Sequence, residues 1–343
     1  MPARLKIGVV GLGRMGHLYA RTLVTGVPGV QLYAVADSNE HLRTTAISEF
    51  DMPYAFAGAH ELIALAELDA VVIATPTNTH PELVSAAARA GKAIFCEKPL
   101  ALTLQETEAV LEVVVRSGVP LQIGFMRRFD AAYQKARRLI AEGGIGRPII
   151  FKSIGRDPFC PKREYADPVK SGGLIIDMAI HDFDLARWLM GSEVVRVSAE
   201  GTLLVCEQLK EVGDIDNAII NLSFANGALG NVEVSRNAFY GYDIRTEVLG
   251  SDGAVMIGNH QHTPVVLLNR AGAHHDVTPY LMERFGDAYR AQMQHFVDCL
   301  QNGQSPSVDG ADALAALEIG VAATRAYQTH RIVTIDGLRD HPA

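Results

Sequence analysis

Short apolar runs alternate with helical patterns over the first 120 residues of the chain. Gly16–Val24 and Pro81–Ala90 have the periodicity of helices with one apolar face. Five runs have the length and the uninterrupted hydrophobicity of buried parallel strands: Leu5–Val10, Gln31–Ala36, Ala70–Ala74, Ala93–Cys96 and Leu121–Gly124. This alternation predicts an α/β domain built on a doubly wound parallel sheet.

The pattern changes from about residue 148, where strands joined by tight turns replace the helices. Asn226-Gly227 lies between the strand patterns Ala218–Phe224 and Leu229–Val234, and it predicts a type I′ hairpin. Asp252-Gly253 repeats the arrangement farther along the chain. These turns predict a C-terminal α+β domain with an open, mainly antiparallel sheet.

We therefore expect two domains, residues 1–123 and residues 124–343, an ordinary division for a chain of 343 residues. Hydrophobic residues make up 48% of the chain, which is enough apolar surface for two cores. The alanine-rich segment Ala311–Tyr327 predicts a helix near the end, which could pack back on the first domain.

Charge and hydropathy exclude two classes of partner. The net charge is −8 and no block of Lys or Arg exceeds two residues, so we do not expect the basic face that nucleic acid requires. No run approaches the roughly 18–20 apolar residues of a membrane span. The apolar stretch near the N-terminus is short and broken by glycine, so we interpret it as a first strand rather than a signal peptide.

The cysteines and several histidines are potential metal or disulfide residues. The four cysteines are far apart and show no CxxC spacing: Cys96, Cys160, Cys206 and Cys299. We therefore expect reduced thiols and a cytoplasmic location. Four histidines fall in what we interpret as polar surface loops without companion acids: His260, His262, His274 and His275. No metal site is expected.

A GxGxxG motif, Gly11-Leu-Gly13-Arg-Met-Gly16, follows the first predicted strand and precedes a helix. Its glycines permit a tight turn and close approach to a pyrophosphate, and the helix N-terminus supplies N–H donors. Arg14 and Met15, inside the motif, are expected to contact the same cofactor. Asp37 ends the second strand, where an acid would bind a ribose 2′-hydroxyl and repel a 2′-phosphate. The motif predicts NAD rather than NADP, although Arg43 is a nearby cation that could weaken this preference.

Two more loops should meet the cofactor, because parallel strands place their carboxyl ends at one edge of the sheet. The loop after the third predicted strand supplies four candidates: Thr75, Pro76, Asn78 and His80. The fourth strand ends in Glu97-Lys98-Pro99, and a Lys beside a nicotinamide could hydrogen-bond a substrate hydroxyl and lower its pKa. An ordinary loop capped by Thr79 and a solvated lysine are the alternatives.

Asp177 and His181 are the main candidates for proton transfer. Residues 171–188 have apolar positions at helical spacing, with Ser171 as the expected N-cap, so residues four apart would leave one helix face. The imidazole titrates near neutrality, and the carboxylate could fix its tautomer and stabilise its cation. Such a pair, taken alone, is more often a surface or capping pair.

Four segments together resemble the Gfo/Idh/MocA oxidoreductases: Gly11–Gly16, Cys96–Leu100, Gly124–Asp130 and Gly172–Asp184. Within that family the chain is most similar to the inositol 2-dehydrogenases, through Arg156-Asp157-Pro158, Ile180–Asp184 and Tyr240–Asp243. The resemblance extends over nearly the whole chain, and it implies a Rossmann NAD domain followed by a domain for substrate binding and oligomerisation.

The resemblance also implies a reaction, the NAD-dependent oxidation of a ring hydroxyl of a cyclic polyol. The most similar case is myo-inositol, which gives 2-keto-myo-inositol (scyllo-inosose). His181 would accept the proton as hydride leaves for the nicotinamide, Lys98 would stabilise the carbonyl oxygen, and Asp177 would orient His181 and contact substrate. Glu97 would lie with the cofactor. No metal is required, and a homotetramer built through the C-terminal sheet is implied.

Further substrate contacts are expected from Arg127, Asp157 and Tyr240. Arg127 and Asp157 could equally form salt bridges, and Tyr242 could be confused with Tyr240. Asp184 is expected to brace its helix. The segment 159–165 replaces a more proline-rich loop of many myo-inositol enzymes, so the preferred isomer stays open.

Three alternatives remain open at this point. The substrate could be scyllo-inositol or a glucose-like pyranose, including L-glucose. Some relatives retain NAD and cleave glycosides by a transient oxidation. Others are non-catalytic regulators, which would be expected to have lost the catalytic Lys or His that this chain retains as Lys98 and His181.

Overall fold

A computed structural model describes residues 4–258 and 261–340 of the chain. These residues form two compact units, and the chain crosses between them three times, after Met126, after Gly286 and after Leu314. Segment 287–314 is therefore part of the first unit. The domain ranges expected from sequence, 1–123 and 124–343, stay a prediction.

The first unit is built on a sheet of six parallel strands in the order β3-β2-β1-β4-β5-β6. The strands are β1 (Leu5–Val10), β2 (Val30–Ala36), β3 (Tyr54–Phe56), β4 (Ala70–Ile73), β5 (Ala93–Cys96) and β6 (Leu121–Ile123). The order reverses between β1 and β4, which is the arrangement of a Rossmann sheet. Five strands agree with the predicted ones to within a residue at either end. The three-residue β3 is too short to give a pattern.

Five helices connect these strands: α1 (Arg14–Thr25), α2 (Glu40–Glu49), α3 (Ala59–Ile63), α4 (His80–Arg89) and α5 (Leu104–Ser117). Local sequence explains their ends. The Thr103 hydroxyl accepts a hydrogen bond from the Glu106 N–H and donates one to the Glu106 carboxylate, so Thr103 is the N-cap of α5. Gly118, with a φ of 66°, ends the same helix in the left-handed conformation.

The second unit is built on a seven-stranded sheet in the order β12-β11-β7-β10-β9-β8-β15. The strands are β7 (Pro148–Arg156), β8 (Val194–Thr202), β9 (Asn217–Phe224), β10 (Leu229–Ser235), β11 (Asp243–Gly250), β12 (Ala254–Ile257) and β15 (Val333–Thr334). Only β7 and β10 pair in parallel, so the predicted α+β domain with a mainly antiparallel sheet is confirmed. A separate hairpin pairs β13 (Gln261–Asn269) with β14 (Gly272–Val277).

Both predicted hairpins exist, but the turn type assigned to the first is wrong. A type I′ turn needs positive φ at two central residues. In the Asn226-Gly227 pair, Gly227 has a positive φ of 85° and Asn226 does not. Asn226 instead accepts a hydrogen bond from the Ala228 N–H through its side chain, in a four-residue loop between β9 and β10.

The remaining helices are α6 (Ala131–Ala141), α7 (Arg163–Ala166), α8 (Pro168–Ser171), α9 (Gly173–Asp177), α10 (Ile180–Met190), α11 (Leu281–Asn302), α12 (Gly310–Thr329) and α13 (Gly337–Asp340). The single helix expected over residues 171–188 is therefore wrong. Gly172, with a φ of 83°, occupies the N-cap of α9 in place of Ser171, and Met178 and Ala179 separate α9 from α10. The predicted C-terminal helix is confirmed as α12.

The expectation of four reduced thiols is also wrong. Cys160 and Cys206 form a disulfide across 46 residues of sequence, whereas Cys96 and Cys299 are buried free thiols. A long-range pairing of this kind leaves no local spacing to detect. In the described part of the chain, no helix has both the length and the hydrophobicity to cross a membrane.

Candidate active site

The glycine motif forms a turn between β1 and α1 whose three glycines have different surroundings. A Cβ on Gly11, where φ is 85°, would lie 2.7 Å from the Ala74 carbonyl oxygen, and one on Gly16 would lie 1.6 Å from the Gly11 carbonyl oxygen. A Cβ on Gly13 would meet no atom within 4 Å. Gly11 and Gly16 are therefore needed for the fold of the turn, whereas Gly13 leaves open space at the N-terminus of α1.

Asp37 follows β2 and is bound to the same turn. Its carboxylate accepts hydrogen bonds from the Leu12 N–H at 2.6 Å and from the Asn39 N–H at 2.8 Å. Arg43 donates to the carbonyl oxygens of Asp37 and Ser38, at 2.7 and 3.1 Å. The cation that could weaken the preference for NAD thus lies beside Asp37.

The loop after β4 places its candidates in different environments. Pro76 and Asn78 are exposed, Thr75 is half-buried, and His80 is buried. The ring nitrogens of His80 lie 2.8 Å from the Pro99 carbonyl oxygen and 2.9 Å from that of Thr75. Burial lowers the pKa of His80, although both carbonyls oppose that shift. His80 therefore ties the loop after β4 to the one after β5.

Glu97 and Lys98 follow β5. The Glu97 carboxylate is buried, where it accepts hydrogen bonds from the Tyr19 hydroxyl and from the Lys98 N–H. Gln292 donates to the Tyr19 hydroxyl at 2.8 Å. Burial raises the pKa of Glu97, and the Tyr19 hydroxyl and Lys98 oppose this rise. Lys98 is half-buried and precedes a cis bond to Pro99, an isomer that composition does not reveal.

These residues fit a dinucleotide. Gly13 leaves space at the N-terminus of α1, and no acidic residue in the first turn of that helix repels a phosphate. Asp37 stands at the end of the neighbouring strand, where a ribose hydroxyl would bind. In residues 4–258 and 261–340, no group of three or more His, Cys, Asp or Glu could hold a metal ion. His262, His274 and His275 lie on the β13–β14 hairpin rather than in loops, and His260 lies outside the described residues.

In the second unit, Arg127 belongs to a buried polar cluster. Its guanidinium donates to Asp182 at 2.6 Å, and Asp182 also accepts a hydrogen bond from Ser153. Burial opposes the charge of Arg127, but Asp182, Tyr133 and Tyr242 together outweigh it, so the pKa of Arg127 rises. Arg127 Nε and Asp182 Oδ2 have no hydrogen-bond partner among the described residues. Arg127 and Asp182 are both buried, with side chains only 4% and 1% exposed.

The two tyrosines between β10 and β11 differ. The Tyr240 hydroxyl donates to Asp243 at 2.7 Å and accepts from Arg156 at 2.9 Å. Burial and the hydrogen bond to Asp243 raise the pKa of Tyr240. Burial, followed by the charge of Asp157, raises the pKa of Tyr242, and Arg127 opposes this rise. Of the two tyrosines, Tyr242 is therefore the one whose pKa is shifted by Asp157 and Arg127, two of the predicted substrate-binding residues.

Asp157 itself is half-buried directly after β7, and its backbone is fixed by neighbouring elements. Its N–H donates to the Ser235 carbonyl oxygen, and its carbonyl oxygen accepts from the Ala238 N–H, both at 2.9 Å. The backbone of Asp157 is thus fixed beside the end of β10, and the charge of its carboxyl group raises the pKa of Tyr242.

Asp177 ends α9 and His181 is the second residue of α10. Asp177 is 40% exposed at its side chain, and His181 is half-buried. Arg236, directly after β10, approaches the Asp177 carboxylate at 3.4 Å and donates to Asp214 at 2.8 Å. Asp184, expected to brace α10, forms a buried ion pair with Arg128 at 2.5 Å.

Sequence reasoning missed Arg236, Asp214 and Asp182. Arg236 and Asp214 are 22 residues apart, and Arg127 and Asp182 are 55 apart, so no local motif links them. The available signal was weaker: each is a charged residue inside or beside an apolar segment, where a charge must find a partner.

Two family descriptions match the chain. "Oxidoreductase family, NAD-binding Rossmann fold" matches residues 5–125, and "Oxidoreductase family, C-terminal alpha/beta domain" matches residues 137–335. Among its relatives, the chain is 41% identical to a protein named scyllo-inositol 2-dehydrogenase (NAD(+)) of Bacillus subtilis (strain 168), over 98% of both chains. It is 39% identical to a myo-inositol 2-dehydrogenase of Thermotoga maritima, over 97% of this chain and 99% of that one.

Solved structures agree with these relatives. The fold superposes with a TM-score of 0.92 on scyllo-inositol dehydrogenase from Lactobacillus casei with bound NAD(H) and scyllo-inositol. That comparison covers 97% of this chain and 99% of the other, at 29% identity.

Proposed function

The chain belongs to the Gfo/Idh/MocA family of oxidoreductases, and from this premise we propose that it is an NAD-dependent dehydrogenase of cyclic polyols. The proposed reaction oxidises one ring hydroxyl to a ketone, and myo-inositol, giving 2-keto-myo-inositol, is the first candidate. The observation that carries the proposal is the full-length similarity to inositol 2-dehydrogenases in a chain that has Lys98, Asp177 and His181.

The proposed chemistry needs three side chains. His181 accepts the proton of the reacting hydroxyl, and Lys98 donates a hydrogen bond to the same oxygen as it becomes a carbonyl. Asp177 orients the imidazole and stabilises its cation. Bound NAD supplies the hydride acceptor, so a secondary alcohol and NAD give a ketone, NADH and a proton. General acid–base assistance of this kind contributes about 10²–10⁴-fold in rate.

We propose that Asp37 makes the enzyme prefer NAD over NADP, because a carboxylate binds a ribose hydroxyl and repels a phosphate. The position of Arg43 beside Asp37 sharpens the test. In Asp37→Ser the repulsion is gone while Arg43 remains, so the ratio of kcat/KM for NADP to that for NAD should rise at least about tenfold. The double variant Asp37→Ser/Arg43→Ala should lose this gain. An unchanged ratio in Asp37→Ser would contradict the role of Asp37.

scyllo-Inositol is the second candidate substrate, because one similar relative is named a scyllo-inositol 2-dehydrogenase. The two inositols differ in the configuration of a single ring hydroxyl. Arg127, Asp157 and Tyr240 are the proposed hydroxyl contacts. We add Tyr242 to them, because the charge of Asp157 raises the pKa of Tyr242. Glucose-like pyranoses, and glycosides cleaved with retained NAD, are the remaining candidates.

The deciding experiment follows NADH at 340 nm with NAD or NADP and a panel of polyols: myo-, scyllo- and D-chiro-inositol, D- and L-glucose. We expect NAD-linked turnover of one inositol, reduced at least about 10²-fold in His181→Ala and in Lys98→Met. Retained NAD binding by both variants, measured by calorimetry, shows that the first unit is intact. No absorbance change with any polyol would overturn the proposal, and glycosides would then be assayed for cleavage without net NADH.

The oligomer and the location are further proposals. We propose a homotetramer associated through the sheet of the second unit, where the apolar side chains of Ile219, Leu229 and Met256 are exposed. Light scattering on the purified protein tests it, and a monomer at micromolar concentration would contradict it. We also propose a cytoplasmic enzyme, and the Cys160–Cys206 disulfide removes the support that reduced thiols would have given. Cell fractionation decides the location.

A further inference from the structure

We infer that Arg236 is a positioning residue of the active site. It is anchored by Asp214, and it holds the Asp177 carboxylate in place. The inference rests on the proposed function, because it assigns Asp177 to the catalytic machinery. Arg236 matches none of the motifs that suggested the reaction, and it acts through Asp177 rather than on substrate.

The geometry places Arg236 between two carboxylates. Its Nη1 donates to Asp214 Oδ2 at 2.8 Å, and its Nη2 lies 3.4 Å from Asp177 Oδ2. The side chains of Arg236 and Asp214 are only 3% and 5% exposed, whereas that of Asp177 is 40% exposed. The fork of the guanidinium thus has one branch inside the protein and one at an accessible carboxylate.

Asp214 is a rigid anchor for Arg236. Its Oδ1 accepts a hydrogen bond from the Leu174 N–H at 3.0 Å, in the first turn of α9. Gly173, with a φ of 70°, packs so closely that a Cβ would lie 2.7 Å from the same oxygen. Asp214 therefore fixes the start of the helix that ends in Asp177, and Arg236 contacts its end.

Charge balance separates the two contacts of Arg236. A buried guanidinium needs one buried anion, and Asp214 supplies it at hydrogen-bonding distance. Asp177 is solvated enough to be stable without a cation. The fold therefore does not require the Arg236–Asp177 contact, and its consequence is to restrict the rotamers of the Asp177 carboxylate. A catalytic carboxylate held in one orientation loses less rate to misalignment.

The test removes the anchor without leaving a buried charge. Arg236→Met/Asp214→Asn neutralises both buried partners, and Arg128→Met/Asp184→Asn does the same to a comparable buried pair elsewhere in the unit. We expect the first variant to lose about 10–100-fold in kcat, with an unchanged KM for NAD. The second variant should keep its kcat within about threefold of the wild-type value. Its melting temperature should fall by about as much as that of the first variant.

A mutant cycle with Asp177 separates positioning from general damage. If Arg236 acts through Asp177, adding Asp177→Asn to the Arg236→Met/Asp214→Asn variant should reduce kcat little below that of Asp177→Asn alone. Multiplicative losses would overturn the inference, as would an unchanged kcat in Arg236→Met/Asp214→Asn.

Failure of the proposed function would be recognised separately, since the wild-type protein would then oxidise no polyol. In that case crystal structures of the wild-type protein and of Arg236→Met/Asp214→Asn decide. A changed or disordered Asp177 side chain with an intact α9 supports the positioning role. An Asp177 carboxylate in the same place in both structures would overturn it.

Discussion

The two units hold their candidate residues by different means. In the first unit the contacts run largely through the backbone: Asp37 accepts from the N–H groups of Leu12 and Asn39, and the ring of His80 lies between two carbonyl oxygens. In the second unit, buried ion pairs connect distant segments, as in Arg127–Asp182 and Arg236–Asp214. Backbone sites depend on local chain conformation, whereas ion-paired sites depend on partners that only the fold brings together.

The sharpest way to break the first unit is a methyl group on the glycine turn. Ala is ordinarily favoured over Gly inside a helix, but a Cβ on Gly16 would lie 1.6 Å from the Gly11 carbonyl oxygen. We expect Gly16→Ala to lower the free energy of unfolding by at least about 4 kcal/mol, measured by urea denaturation.

Gly13→Ala is the matched control for that variant, because its methyl group meets open space. Its melting temperature should stay within about 2 °C of the wild-type value, whereas its affinity for NAD should fall about tenfold or more. Equal stability of the two variants would show that the turn is not held by close backbone packing.

The second unit should be broken by removing one member of a buried pair. Arg127→Met leaves Asp182 buried without its cation, so we expect a loss of about 3–5 kcal/mol in unfolding free energy. Arg127→Met/Asp182→Asn should recover most of this loss, because no buried charge remains. If the double variant is as unstable as the single one, packing rather than charge explains the defect. Urea denaturation at neutral pH measures both.

This contrast also explains how far the sequence could be interpreted. The strands of the first unit and the positions of Asp37, Glu97 and Lys98 follow from local patterns, because each candidate stands at the end of a recognisable apolar run. The break between α9 and α10 could not be predicted, since the apolar spacing continues across Met178 and Ala179. Partners such as Asp214 and Arg236, and the Cys160–Cys206 disulfide, depend on tertiary contacts that leave no periodicity.

The disulfide is a further long-range connection in the second unit, and removing it should destabilise the protein less than removing one partner of a buried ion pair. It closes a loop across 46 residues, for which restriction of the unfolded chain gives about 2–4 kcal/mol. Cys160→Ser/Cys206→Ser, or the wild-type protein in dithiothreitol, should lose that amount in urea denaturation. Alkylation under non-reducing conditions should label two cysteines in the unfolded wild-type protein. Labelling of all four would contradict the disulfide.

The smallest expected effect concerns Glu97, the buried acid that follows β5 in the first unit. Burial raises the pKa of Glu97 above its ordinary value of 4.5, so the folded protein binds this proton more tightly than the unfolded chain does. The associated stability is fully present below the unfolded pKa, and it is lost as the pH rises through the folded pKa. Glu97→Gln mimics the protonated acid and lacks this loss, so its melting temperature should rise relative to the wild-type value between pH 4 and neutrality.

Tyr19→Phe removes a hydrogen bond that lowers the pKa of Glu97, and it should steepen the same pH dependence. A difference between Glu97→Gln and wild type that is constant with pH would show that Glu97 is ionised throughout, held by the Tyr19 hydroxyl and the Lys98 N–H against the cost of its burial.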